Sequence, residues 1–345
     1  MKAELKDKYV IASQEALVYY DQGGYGQIDK NNHQLRLKIE EALYLMARGK
    51  LQVTGWSFDS LLTFMSETSP DFLRQYIVYR DLRERGFVVT PGPQDYRVFP
   101  RGKRPGTGES KQLVRILSER NNVDILTILH EAKTAENMRK QFILAVVDDE
   151  HELTYYEIRI NNFESIHTDI DTIPYIQATL AGVPAYVIDN GNGDIKKLNE
   201  MWYGKMLDDK RLFLTPLEIS YLLELNKIKL IPDIQKSEYT DLALKYDPEF
   251  NSKMVVYQYL RNKGYLPRTG YKYGHFLRVY TKNKKHSEML VHIFTQENNV
   301  SMSLISRSVR LAHSVKKKML FACISNTDNN TDNNILFIEF TRIKL

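Results

Sequence analysis

The chain has 345 residues, 43% of them apolar and 26% charged, which fits two units of roughly 170 residues, each with its own core. No apolar run approaches the ~20 residues of a membrane span, and the opening MKAELKDKY lacks a signal-peptide pattern. A lone cysteine, Cys323, excludes an internal disulfide framework and most zinc sites; within LFACI it reads as a core residue, and the cytoplasm is the expected location.

In chain order, short strands around YGQ (25–27) come first, then a helix, IEEALYLMARGK (39–50), whose apolar residues recur at helical spacing. VYRDLRERGFVV (78–89) and YRVF (96–99) follow, and AENMRKQFILAVV (135–147) leads into the acidic VVDDEHELTYYEI (146–158). A polar stretch around 160–200 reads as the joint between units. Beyond it, Thr215 as N-cap and Pro216 in the first turn start the helix PLEISYLLELNK. MVVYQYLRNKG (254–264) is an amphipathic helix closed by Gly264. Strand-like FLRVY and MLVHIF follow, then a helix near 301–317, a strand MLFACI and a closing strand ILFIEFTRI. SNTDNNTDNN (325–334) reads as a hairpin loop or a mobile tip.

The chain is written twice. QLRLKIEEALYLMARGKLQV (34–53) resembles RLFLTPLEISYLLELNKIKL (211–230), with Tyr44 and Tyr221 in register. YGQ answers YGK (203–205), and VYRDLRERGFVV answers VYQYLRNKGYLP (256–267). YRVF answers LRVY (277–280), and AENMRKQFILAVV answers AHSVKKKMLFACI (312–324). All five blocks are collinear at an offset near 177. The expected fold is α/β (α+β): a tandem duplication in which a small α+β N-terminal subdomain precedes a mixed-sheet, nuclease-like α/β subdomain. The expected boundaries are 1–75 and 76–162 for the first repeat, 163–185 for a linker, and 186–250 and 251–345 for the second repeat.

Charge is uneven between the copies. Net charge is +5 overall, but residues 261–320 hold 13 Lys/Arg against two acids, a local +11, with four of the eight histidines. Such a field suits a polyanionic partner. The copies differ where proton-transfer groups would sit. The second has Tyr280 and His286 where the first has Phe99 and Glu109, while Lys317 is matched by Lys140. A continuous helix through 301–319 would put Lys317 opposite the apolar stripe and in line with Arg310, two turns or roughly 10 Å away. Lys316 and Lys318 would then flank the stripe.

Tyr280, His286 and Lys317 offer groups titrating near 10 and 6.5 and a fixed cation. No dense metal-ligand cluster, P-loop or dinucleotide-binding glycine pattern accompanies them, so neither metal nor cofactor is expected. The set suits metal-free RNA cleavage. Tyr280 would take a 2′-hydroxyl proton, His286 would protonate the departing 5′-oxygen, and Lys317 would offset charge on the phosphoryl oxygens.

At these residues the chain resembles the archaeal tRNA-splicing endonucleases. The likeness rests on YG…ALYLMARGK, VYRDLRERGF, TGYKYGHFLRVY, the KHSEMLV block and VRLAHSVKKKMLFA, and spans nearly the whole chain. It implies a fused, two-repeat homodimer with a degenerate first copy. The implied activity is cleavage of precursor tRNA at a bulge–helix–bulge, leaving 2′,3′-cyclic phosphate and 5′-hydroxyl ends. It also implies catalytic roles for Tyr280, His286 and Lys317, and bulge-gripping by Arg310 and Arg342 through stacking on flipped bases. The acidic tip Asp148, Asp149 and Glu150 is implied to dock on the other chain's basic catalytic copy. The alternatives are a non-catalytic RNA-binding subunit, or a metal-dependent nuclease in which the same DDE binds Mg²⁺.

Overall fold

A computed structural model describes residues 1–29, 31–166, 172–281, 286–294, 299–324 and 335–345. The chain divides into two compact units. One comprises residues 1–160, 299–310 and 340–345; the other comprises 161–298 and 311–339.

The first unit opens with β1 (Lys2–Lys6), β2 (Tyr9–Ala12), α1 (Leu17–Gly23), β3 (Gln27–Asp29), β4 (Gln34–Lys38), α2 (Ile39–Ala47) and β5 (Gln52–Val53). Their strands form a sheet in the order β3-β4-β2-β1-β5. After α3 (Phe58–Thr68) and α4 (Phe72–Glu84) come β6 (Val88–Pro91), β7 (Tyr96–Phe99), β8 (Gln112–Ser118), β9 (Asn122–Asp124), α5 (Ile125–Asn137), β10 (Gln141–Val147) and β11 (Leu153–Asn161). Here the order is β11-β10-β8-β7-β6, with β8 and β10 parallel across the α5 crossover.

The second copy of the repeat has both layers again. β12 (Ile176–Leu180), β13 (Ala185–Ile188), α6 (Asp194–Glu200), β14 (Lys205–Asp208), β15 (Arg211–Leu214), α7 (Pro216–Glu224) and β16 (Ile228–Ile231) give the sheet β14-β15-β13-β12-β16. α8 (Lys236–Tyr246) and α9 (Phe250–Asn262) lead to β17 (Leu266–Thr269), β18 (Leu277–Tyr280), β19 (Met289–Phe294), β20 (Asn299–Ser301), α10 (Met302–Ser314), β21 (Lys318–Ile324) and β22 (Ile335–Ile343). The order β17-β18-β19-β21-β22 mirrors the first copy strand for strand. Part of the span expected as linker, 163–185, is strand instead. Apolar alternation in β12 is short, but its pairing with β13 and β16 supplies the ladder that makes it a strand.

The matching sequence blocks are matching cores. Gly26 and Gly204 have φ of 68° and 64°, and a Cβ there would lie 2.6 Å from the Arg36 carbonyl or 2.7 Å from that of Phe213. Both positions therefore demand glycine. Their N–H groups donate to the buried carboxylates Glu41 (2.8 Å) and Glu218 (2.9 Å), which also accept from the N–H groups of Lys38 and Thr215 at the helix starts. Burial pushes the Glu41 carboxyl up to about 7, against those hydrogen bonds. Tyr25 stacks on Tyr44 as Tyr203 does on Tyr221. Arg83 sits 3.9 Å over Tyr25 and Arg261 sits 4.1 Å over Tyr203, each donating through Nε to a tyrosine one turn earlier.

Candidate active site

Helix α10 stops at Ser314, three residues short of the expected end. Lys316 takes a left-handed conformation (φ 55°), and the N–H of Lys317 closes back on the Ala312 carbonyl at 2.8 Å. β21 then starts at Lys318. Lys317 is therefore not on the helix, and its expected alignment with Arg310 on one helical face does not occur. Competition from β19, whose Met289 pairs with Lys318, ends the helix where periodicity would carry it on. The first copy does the same: Arg139 has φ 55° and Lys140 N–H bonds the Ala135 carbonyl at 2.8 Å.

Lys317 is nevertheless set apart from its neighbours. Its ammonium donates to the Ser287 carbonyl at 2.6 Å and lies 5.6 Å from the Tyr273 ring centroid. Lys140 donates to the Ser110 carbonyl at the same 2.6 Å. A lysine at this position thus tethers a loop in both copies, which explains why it accompanies Phe99 and Glu109 as readily as Tyr280 and His286. Lys318 instead lies 3.3 Å from Glu339, and Lys316 is exposed.

Three expected residues come together at one sheet end. Val279 pairs with Met289, and Met289 with Lys318. Glu288 N–H donates to the Val279 carbonyl, and Lys318 N–H to the Glu288 carbonyl, both at 2.9 Å. Tyr280 follows Val279, His286 and Ser287 precede Glu288, and Lys317 precedes Lys318. The end of β18 and the starts of β19 and β21 thus deliver Tyr280, His286 and Lys317 to a single edge. Tyr280 is 6% exposed, whereas His286 is exposed in a bend. The first copy repeats the ladder: Lys111 N–H to Val98 and Gln141 N–H to Lys111, both at 2.9 Å, with Phe99 buried and Glu109 exposed.

Arg310, on α10, and Arg342, on β22, are exposed and belong to the first compact unit. The acidic tip joins β10 to β11, but only part of it is at liberty. Asp148 builds the turn, its Oδ1 accepting from the N–H groups of Glu150 (3.0 Å) and Glu152 (2.8 Å). Asp149 pairs with Arg120, and Glu150 is exposed. The second copy's equivalent loop, 325–334, lies outside the described residues.

Sequence reading missed the groups packed around Tyr280. The Trp202 ring lies 4.6 Å from the Tyr280 ring, the Arg268 guanidinium 5.1 Å from Trp202, and the Arg278 guanidinium 5.5 Å from Tyr280. The available signal was one position upstream of the matched YG pair, where GYG (24–26) stands against WYG (202–204). Beside these side chains a cavity of about 520 Å³ is lined by Lys205, Phe213, Phe250, Arg268, His275 and Arg278 among others. Burial holds the His275 imidazole down at about 4, and neither ring nitrogen finds a hydrogen-bond partner among the described residues.

Comparison with known proteins extends over the whole chain. Residues 72–155 and 250–333 each match the tRNA intron endonuclease catalytic C-terminal domain, and residues 1–64 and 185–243 each match the tRNA intron endonuclease N-terminal domain. The chain is 36% identical to the tRNA-splicing endonuclease of Methanococcoides burtonii and 34% identical to that of Methanosarcina barkeri, covering 100% of each chain in both cases. It is 32% identical to that of Natronomonas pharaonis over 90% of this chain and 91% of the relative. With both domains matched twice in the order of the two repeats, this chain belongs to the tRNA intron endonuclease family and is an endonuclease made of two fused copies of its two-domain unit.

Proposed function

We propose that the chain cleaves precursor tRNA at bulge–helix–bulge intron junctions by metal-independent attack of a 2′-hydroxyl, with the second copy as the catalytic one. The observation that supports this most is the shared strand end holding Tyr280, His286 and Lys317, set against Phe99, Glu109 and Lys140 on the equivalent end of the first copy. The 2′-hydroxyl proton passes to the Tyr280 oxygen, acting as phenolate, as the O2′–P bond forms. The P–O5′ bond breaks and His286 gives its proton to the 5′-oxygen. The Lys317 ammonium, steadied by one hydrogen bond to Ser287, offsets charge on the non-bridging oxygens. Products are a 2′,3′-cyclic phosphate and a 5′-hydroxyl. Arg310 and Arg342 are proposed to hold bulge bases by stacking.

The test is the chemistry of the cleaved ends in excess EDTA. The expected result is cyclic phosphate and 5′-hydroxyl ends at an unchanged rate, with His286→Ala roughly 10²-fold slower and still able to bind RNA. A 3′-hydroxyl with a 5′-phosphate, or loss of cleavage in EDTA, sinks the mechanism. Near-wild-type rates for His286→Ala remove that residue from it.

A homodimer is proposed alongside, with the acidic β10–β11 tip docking against the +11 span of a second chain. Since Asp148 builds its own turn and Asp149 pairs with Arg120, Glu150 carries the docking charge. Sedimentation equilibrium should give a dimer, with Glu150→Lys shifted towards monomer. A monomeric wild type excludes the dimer, and an unaffected Glu150→Lys excludes the docking role.

A further inference from the structure

We infer that Trp202 is a positioning residue for the Tyr280 phenol, an inference that rests on the catalytic reading of Tyr280. The first observation is conformational. Trp202 has φ of 63°, a left-handed backbone that bulky side chains seldom adopt, and the equivalent Gly24 has φ of 61°. Both copies need the same turn before the YG pair, and glycine makes it without strain. The second copy carries the largest side chain there instead. Strain of this kind persists where the side chain is needed.

A second, independent observation concerns what occupies the equivalent space. In the first copy a Cβ at Gly24 would lie 2.8 Å from Val88 and 3.2 Å from both Arg104 and Pro105. Val88 pairs with Phe99, so the nine-residue segment 100–108 between Phe99 and Glu109 folds back over the place beside the inert phenylalanine. The second copy has only five residues, 281–285, between Tyr280 and His286. There the neighbour of Tyr280 is Leu266, and the Trp202 indole lies against the tyrosine ring, tilted 42° to it.

The surroundings differ in the same direction. Arg268 pairs directly with Arg278 across β17 and β18, and like charges in register destabilise a sheet. The first copy has Thr90 against Arg97. In the second, each guanidinium lies over a ring, Arg268 over Trp202 and Arg278 over Tyr280. Arg268 also donates to the Gly204 carbonyl at 2.9 Å, which ties it to the same turn. The order Arg268–Trp202–Tyr280–Arg278 is a row of contacts in which the two rings lie between the two guanidinium groups. Such a row restricts the ring to one plane and keeps the phenol aimed.

Four chains test this: wild type, Trp202→Gly, Tyr280→Phe and the double variant, with Trp202→Phe as the conservative control. Glycine suits the left-handed backbone, so Trp202→Gly removes the ring without imposing backbone strain, and melting curves confirm folding. Single-turnover cleavage of a bulge–helix–bulge precursor should fall about tenfold or more in maximal rate with half-saturation little changed, and Trp202→Phe should recover most of it. In the Tyr280→Phe background the Trp202→Gly loss should vanish, because Trp202 acts through the hydroxyl that is already gone. An undiminished maximal rate, a loss confined to half-saturation, or losses that multiply in the double variant would overturn the inference. Wild-type cleavage by Tyr280→Phe alone would instead overturn the catalytic reading beneath it.

Discussion

Tyr280→Phe is expected to slow single-turnover cleavage of precursor tRNA by about a hundredfold or more while leaving the melting temperature and RNA binding nearly unchanged. General acid–base groups contribute roughly 10²–10⁴ to rate, and in the proposed mechanism this substitution deletes one such group and little else. The first copy has already made the exchange: Phe99 closes β7 where Tyr280 closes β18, and both are buried. The ring contacts to Trp202 and Arg278 do not involve the hydroxyl's hydrogen bonds, so packing is retained. The decisive comparison is rate against stability in one preparation. A variant that cleaves within a few-fold of wild type would show that Tyr280 moves no proton in the rate-limiting step.

The second large effect is on stability. Arg261 is 5% exposed and donates to the Tyr257 hydroxyl (3.0 Å) and to the carbonyls of Met201 (3.3 Å) and Trp202 (2.7 Å), while covering the Tyr203 ring. Arg261→Met keeps much of the apolar stem but leaves three acceptors without a donor. Each unsatisfied buried group costs about 1–3 kcal/mol, and the ring contact adds up to about 2. A loss of about 3 kcal/mol or more is expected from urea unfolding. Arg83→Met should match it, because Arg83 donates to Tyr79 and to the Gly23 carbonyl over Tyr25. Arg261→Met should also slow cleavage in the folded fraction, since the carbonyl it releases belongs to Trp202. A change below about 1 kcal/mol would show that water replaces the guanidinium without penalty.

What could be read in the sequence was whatever is encoded locally and written twice. The duplication, the helix starting at Pro216, the strands around LRVY and MLVHIF and the acidic hairpin all follow from period, caps and turn residues. The expectation for Tyr280 and His286 comes instead from comparing the two aligned copies, each a control for the other. Within 163–185, β12 is short and gains its identity only by pairing with β13 and β16. Tertiary structure alone decided the end of α10. Lys316, not a glycine, takes the left-handed position there, and β19 captures Lys318 into a strand. Periodicity placed Lys317 on a helical face; the fold instead placed it beside Ser287, in a tether the first copy shares. The Trp202–Tyr280 contact joins residues 78 positions apart. No local pattern carries such a contact, because it exists only once the N-terminal and catalytic layers of the second copy fold against one another.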